Sequence, residues 1–177
     1  MEGLELPEIA MALSSFPGVP GRFQILDLRL PYKVIIDYAH CETSLRHVMN
    51  AARGLSRNRL ILVFGCTGER DRRKRPIMGA LGVSLADWLI LTSDDPYGED
   101  PDSIITEIVQ GIPLHATNWS SQVDRSLAVR EALAMAKPGD VVLLAGKGGE
   151  TVQKFAGYSI PYSDEAVVKE ALALKEE

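Results

Sequence analysis

Cysteine, aromatic residues and long apolar runs are all scarce in this sequence, and each scarcity excludes something. Two cysteines in 177 residues, Cys41 and Cys66, are too few for a disulfide framework, so a reducing compartment, the cytoplasm, is the expected location. Apolar stretches reach only five to seven residues, against the ~20 a membrane span requires, and no membrane partner is expected. Residues 1–7 carry two acids and no base, unlike a secretory leader. A net charge of −5 argues against general nucleic-acid binding. Chemical signatures are missing too. There is no G-x-S-x-G elbow and no phosphate-cradling G-x-x-x-x-G-K-[ST]. His40, Cys41, His47 and Cys66 lack the paired spacing of a zinc site, so no metal site is expected.

What remains is enough to fold. Apolar residues make up 46% of the chain and charged ones 24%, which suits one α/β domain with a real core. Helical spacing of Leu6, Ile9, Ala10 and Leu13 predicts a helix that ends in the hinge Phe16-Pro17-Gly18-Val19-Pro20-Gly21. Alternation over Arg22 to Leu30 predicts a strand, and Val34-Ile35-Ile36 a second one buried on both faces. The rest alternates. Helices are expected at Glu42 to Leu55, from Pro76, at Asp102 to Val109 and at Ser126 to Lys137. Strands are expected at Leu60 to Phe64, Trp88 to Leu91, around Leu114 and at Val141 to Ala145. A last helix over Ala166 to Leu174 has Ser163 as its cap. The pattern predicts a mostly parallel, doubly wound Rossmann-like sheet with helices on both faces.

In such sheets ligands collect beyond the C-terminal strand ends. Four of those ends carry unusual loops: Asp37-Tyr38-Ala39-His40, Gly65 to Pro76, Thr92 to Asp100, and Gly146-Lys147-Gly148-Gly149-Glu150. Arg70, Arg72, Arg73, Lys74 and Arg75 stand just before a helix, either as a solvated basic loop or as an anion site. The acidic run from Asp94 to Asp100 reads either as a polar turn or as an ammonium site. The loop glycines permit close approach of a ligand or a positive φ.

With these blocks in order, the sequence resembles the C-terminal domain of the Mur ligases. It is most similar to the tripeptide-synthetase branch, which adds the third residue of the peptidoglycan stem. The blocks that carry the resemblance are Val19-Pro20-Gly21-Arg22-Phe23, Asp37-Tyr38-Ala39-His40, Phe64 to Asp71, Lys74 to Gly79, Thr92 to Pro96 and Gly146 to Glu150. The resemblance implies residues 19–177 as that domain, and residues 1–18 as the tail of a preceding central domain plus a hinge. It implies ATP-driven amide formation through an acyl phosphate, on UDP-N-acetylmuramoyl-dipeptide with a diamino acid as acceptor. The ATP phosphates and Mg²⁺ would be held mainly by a central domain and the UDP group by an N-terminal domain, whose motifs this sequence does not contain, and the chain alone would be inactive.

By the same resemblance, Arg22, Asp37, Tyr38 and His40 would lie at the nucleotide. Arg70, Asp94, Asp95, Tyr97, Gly146 and Glu150 would receive the acceptor. Family members that add meso-diaminopimelate usually show Asp-Asn-Pro-Arg where this sequence has Asp94-Asp95-Pro96-Tyr97. Tyrosine cannot grip a carboxylate as arginine does, and an extra acid favours an ammonium, so lysine or ornithine is the expected acceptor. Gly149 stands where the family usually has His, and its role stays open. The alternatives are another Mur-type amide ligase, or a stand-alone module that binds an amino acid or nucleotide.

Overall fold

The computed structural model describes residues 3, 5–16 and 18–173. In chain order the elements are α1 (Leu6–Ser14), β1 (Gln24–Ile25), β2 (Lys33–Asp37), α2 (Glu42–Leu55), β3 (Leu60–Phe64), α3 (Lys74–Leu85) and β4 (Trp88–Leu91). They continue with α4 (Pro101–Val109), β5 (Trp119–Ser121), α5 (Arg125–Met135), β6 (Val141–Ala145), β7 (Val152–Phe155), β8 (Tyr158–Pro161) and α6 (Asp164–Ala173). Six strands form one sheet in the order β1-β2-β6-β3-β4-β5, all parallel except β1 against β2.

The central strands are apolar throughout because both of their faces are covered. Leu60, Leu62 and Phe64 of β3 pack on the side of α2, α3 and α4, with Met49, Met78 and Ile108. Ile61 and Val63 point the other way, to Ala128 and Val129 of α5 and Val168 of α6. Each fully buried Leu, Ile or Val contributes about 1.5–3 kcal/mol relative to exposure. Since β6 returns between β2 and β3, the strand order reverses at β6 and β3, and a crevice opens at their C-terminal ends.

Local chemistry sets the helix starts. Asp100 and Asp124 accept hydrogen bonds from Ser103 N and Leu127 N at the heads of α4 and α5. Ser163 Oγ accepts from Ala166 N in the first turn of α6. Behind the end of β6, Arg125 and Asp164 form a wholly buried bidentate pair at 2.9 Å. Arg125 also donates to Ala145 O, and the Tyr162 hydroxyl to Asp164. This pair ties the heads of α5 and α6 to the strand whose loop enters the crevice.

Three expectations need correction. The strand expected over Arg22 to Leu30 is reduced to Gln24–Ile25, because Phe23 (φ 44°) and Arg29 (φ 49°) turn the backbone left-handed on either side. The strand expected around Leu114 lies instead at Trp119–Ser121, and Leu114 is fully exposed in a turn closed by Ala116 N and Pro113 O. Helix α3 begins two residues before Pro76. Pro17 of the hinge and Leu174 at the end of the last expected helix lie outside the described residues. The hairpin of β7 and β8, turning at Gly157 (φ 74°), has no counterpart among the expected elements. Among the described residues, no helix is long and apolar enough to cross a membrane.

Candidate functional site

The loops after β2, β3, β4 and β6 meet in the crevice and enclose a cavity of about 400 Å³. Tyr38 and His40 come from the first loop; Thr67, Arg70, Asp71 and Lys74 from the second and the head of α3. Asp94, Asp95 and Tyr97 come from the third, Gly146 and Glu150 from the fourth, and Lys154 from β7. Gly146 permits the closest approach: its φ is 112°, and a Cβ there would stand 2.5 Å from Asp94 Oδ2. On the outer wall, Gly21 packs against the Gly149 backbone, and Gly149 itself lies beside Pro20. The hinge segment is thereby docked on the fourth loop.

Charge decides what the cavity can hold. The basic loop is mostly spent within the protein. Arg75 is wholly buried and donates to Glu99 and Glu107, Arg72 donates to Glu99, and Arg73 pairs with Asp71. Hydrogen bonds from Arg75, with further ones from Arg72 and Glu69 N, hold the Glu99 carboxyl down to about 2. Glu99 therefore supplies the anion that the head of α3 favours. Glu69 N donates to Glu99 while Gly98 N donates to Glu69 Oε1, so the second and third loops are laced together. Glu69 (φ 55°) and Tyr97 (φ 50°) both take left-handed conformations at this seam. The lacing presents Arg70 to Tyr97, with the guanidinium carbon 5.7 Å from the ring centroid.

The acids are equally committed. Lys147, wholly buried, donates to Asp95 and to Glu150, both at 2.6 Å. Burial alone would lower the Lys147 ammonium, but these two hydrogen bonds outweigh it and raise it. Asp95 also accepts from Lys154 N at 3.0 Å. Burial pushes the Asp94 carboxyl up, partly offset by the charges of Arg125 and Lys147. In the first loop both Asp37 oxygens accept backbone N–H groups, from Phe23 and Ala39. Arg22 lies over the Tyr38 ring at 4.4 Å, and His40 meets that ring edge-on at 5.0 Å. Among the described residues, no cluster of three His, Cys, Asp or Glu side chains stands ready for a metal ion.

Comparison with known proteins fits this architecture. Residues 21–148 match the family described as Mur ligase, glutamate ligase domain. The chain belongs to the Mur ligase family. One relative of this Mur ligase domain is the UDP-N-acetylmuramoyl-L-alanyl-D-glutamate–2,6-diaminopimelate ligase of Solibacter usitatus, 42% identical over 170 residues. That alignment covers 96% of this chain and 34% of the relative, so the chain spans about a third of the curated relatives it matches. A solved structure of a ligase of the same name superposes with a TM-score of 0.85 at 33% identity, covering 98% of this chain and 36% of that one. A folylpolyglutamate synthase/dihydrofolate synthase from Yersinia pestis, solved with AMPPNP and Mn, gives a TM-score of 0.60 at 18% identity. It covers 98% of this chain and 35% of that one, and shares the fold alone.

Eight of the ten residues expected at the site of this Mur ligase domain line the cavity: Tyr38, His40, Arg70, Asp94, Asp95, Tyr97, Gly146 and Glu150. Arg22 and Asp37 do not; they stand behind Tyr38 and fix the hinge to the end of β2. Sequence reasoning assigned no site role to Lys147, which bridges Asp95 and Glu150, and did not single out Lys154, which lies on an unrecognised strand. The ammonium expectation for Asp95 loses its basis here, because that carboxylate already belongs to Lys147.

Proposed function

We propose that the chain is the acceptor-presenting C-terminal domain of an ATP-dependent ligase. The reaction adds a diamino acid to UDP-N-acetylmuramoyl-L-alanyl-D-glutamate, in the cytoplasm, through an acyl phosphate. The observation that carries this reading is the convergence of eight expected residues from four strand ends on one cavity. Arg70 takes the acceptor's α-carboxylate, for which its planar fork is suited. Gly146 and Glu150 face the attacking amino group. The Arg22–Tyr38–His40 surface offers a stacked cation and aromatic edges to the nucleotide.

ATP phosphates and Mg²⁺ do not fit this chain alone. It has no phosphate-cradling glycine loop and, among the described residues, no group of three His, Cys, Asp or Glu side chains placed to hold a metal ion. Those groups are assigned to the central domain of a longer ligase and the UDP group to its N-terminal domain, residues 1–18 being the tail of the central domain and the hinge. The chain's own contribution is positioning: a bound amine aimed at an activated carbonyl gains its rate from orientation.

A chimera tests this. The first two thirds of the Solibacter usitatus relative, joined to this chain, should form the amide with ATP and a diamino acid, whereas the chain alone should form none. Arg70→Ala in the chimera should lower kcat/KM on the order of a hundredfold, the scale of a lost positioning clamp. A folded chimera inactive with every diamino acid, or ligation by the isolated chain, would contradict the reading.

A further inference from the structure

Within the acceptor reading just proposed, the far end of the acceptor has no assigned partner, since Tyr97 occupies the loop position from which an arginine would reach it. The charge inventory of the cavity supplies one. Asp71 is paired with Arg73, and both Asp95 and Glu150 with Lys147. Arg70 and Lys74 make no ion pair among the described residues, Lys74 donating instead to the backbone oxygen of His40. Lys154 Nζ stands 3.9 Å from Asp95 Oδ2, too far for a hydrogen bond, and its side chain is 39% exposed at the cavity wall. The remaining acid, Asp94, is buried and faces the charges of Arg125 and Lys147. Among the described residues, Arg70, Lys74 and Lys154 are therefore the lining cations that no acid hydrogen-bonds, set apart on the loop after β3, the head of α3 and β7.

Lys154 is also placed with unusual firmness for a surface lysine. Its N donates to Asp95 Oδ1 at 3.0 Å and its O accepts from Tyr97 N at 3.2 Å. Next to it, Gln153 donates to Asp94 O at 2.6 Å, and Tyr97 bridges to Phe155. Strand β7 is thus laid along the third loop, and the Lys154 ammonium is carried to the Tyr97 side of the cavity.

We infer that Lys154 is a specificity-determining residue that binds a carboxylate on the distal end of the acceptor. The acceptor it favours has a carboxylate at both ends, one on Arg70 and the other on Lys154. This inference rests on the acceptor reading of the cavity and reverses the sequence-based preference for lysine or ornithine. meso-Diaminopimelate and L-lysine separate the two cases, because they share the proximal amino acid and differ by that distal carboxylate.

The test is an NMR titration of the intact chain with meso-diaminopimelate, L-lysine and inorganic phosphate. The wild type should bind meso-diaminopimelate about tenfold more tightly than L-lysine, the scale of one charge-assisted hydrogen bond. Lys154→Gln should abolish that preference, and Lys154→Glu should invert it; the side chain is half-exposed, and the amide spectrum of each free variant reports whether the fold is kept. Arg70→Ala should weaken both amino acids. If Arg70→Ala weakens both while Lys154→Gln leaves their ratio unchanged, the Lys154 assignment is wrong and the acceptor reading stands. If Lys154→Gln weakens phosphate and not meso-diaminopimelate, the anion at Lys154 is a phosphate and the inference is overturned. If neither amino acid binds the wild type, the acceptor reading falls and Lys154 with it.

Discussion

Replacing Lys147 with methionine is expected to destabilise the domain by about 3–5 kcal/mol, the usual cost of leaving a buried charge without its partner. The ammonium is wholly buried and holds Asp95 and Glu150 at 2.6 Å each. Without it, Asp95 keeps the Lys154 N–H and an ammonium 3.9 Å away. Adding Asp95→Asn to Lys147→Met should restore much of the loss, since the amide removes the charge and keeps an acceptor for Lys154 N. Urea unfolding of the two single variants and the double measures this directly. A loss below about 1 kcal/mol, within what an exposed ion pair is worth, would show that Lys147 does not carry the network.

The second large effect is at Glu99. Its carboxyl is held down to about 2 from an ordinary 4.5 by hydrogen bonds from Arg75, Arg72 and Glu69 N. A shift of that size would be worth about 3 kcal/mol unscreened, and solvent screening at this surface cluster brings it to about 1–2 kcal/mol. The folded value is depressed, so this contribution is fully present above pH 4.5 and is lost as pH falls toward about 2. Glu99→Gln should therefore cost about 1–2 kcal/mol near neutral pH, and the gap from wild type should close between those values. It should also weaken acceptor binding, because Glu99 laces the Arg70 loop to the Tyr97 loop. A gap constant from pH 5 to pH 2 would place the stabilisation elsewhere.

How much of this was readable in advance follows from the kind of information each feature needs. The buried parallel strands Leu60–Phe64 and Val141–Ala145 declare themselves as uninterrupted apolar runs, because both of their faces are covered. Their loops are then forced to one end of the sheet, so the site was legible as a place. Strand β1 was not legible in its length, because the left-handed turns at Phe23 and Arg29 leave no compositional mark. The hairpin of β7 and β8 is not legible because its one buried position is the polar Gln153, the rest being half-exposed or exposed, so Val-Gln-Lys-Phe and Tyr-Ser-Ile-Pro show no apolar alternation. With it went Lys154. Pairing was the other blind spot: five cations in six residues left a solvated loop and an anion site both open, and only the fold shows Arg72 and Arg75 meeting Glu99 and Glu107.

The glycines show the same division. Their presence at the strand ends suggested ligand access, but the requirement at Gly146 and Gly21 comes from protein packing on protein. Asp94 crowds the first, and the Gly149 backbone the second. A side chain at either position would displace one wall of the cavity from another.

The central claim is that the acceptor amino acid binds where the four loops meet. Mapping backbone amide shifts while meso-diaminopimelate is titrated into the ¹⁵N-labelled chain tests it most directly. The account predicts that the perturbed amides lie at residues 38–40, 66–74, 93–98 and 146–154. Another cavity, of about 600 Å³, lies at the opposite end of the strands among Tyr32, Lys33, Arg57 and Pro138. Perturbation centred there, with the four loops unmoved at saturation, would contradict it.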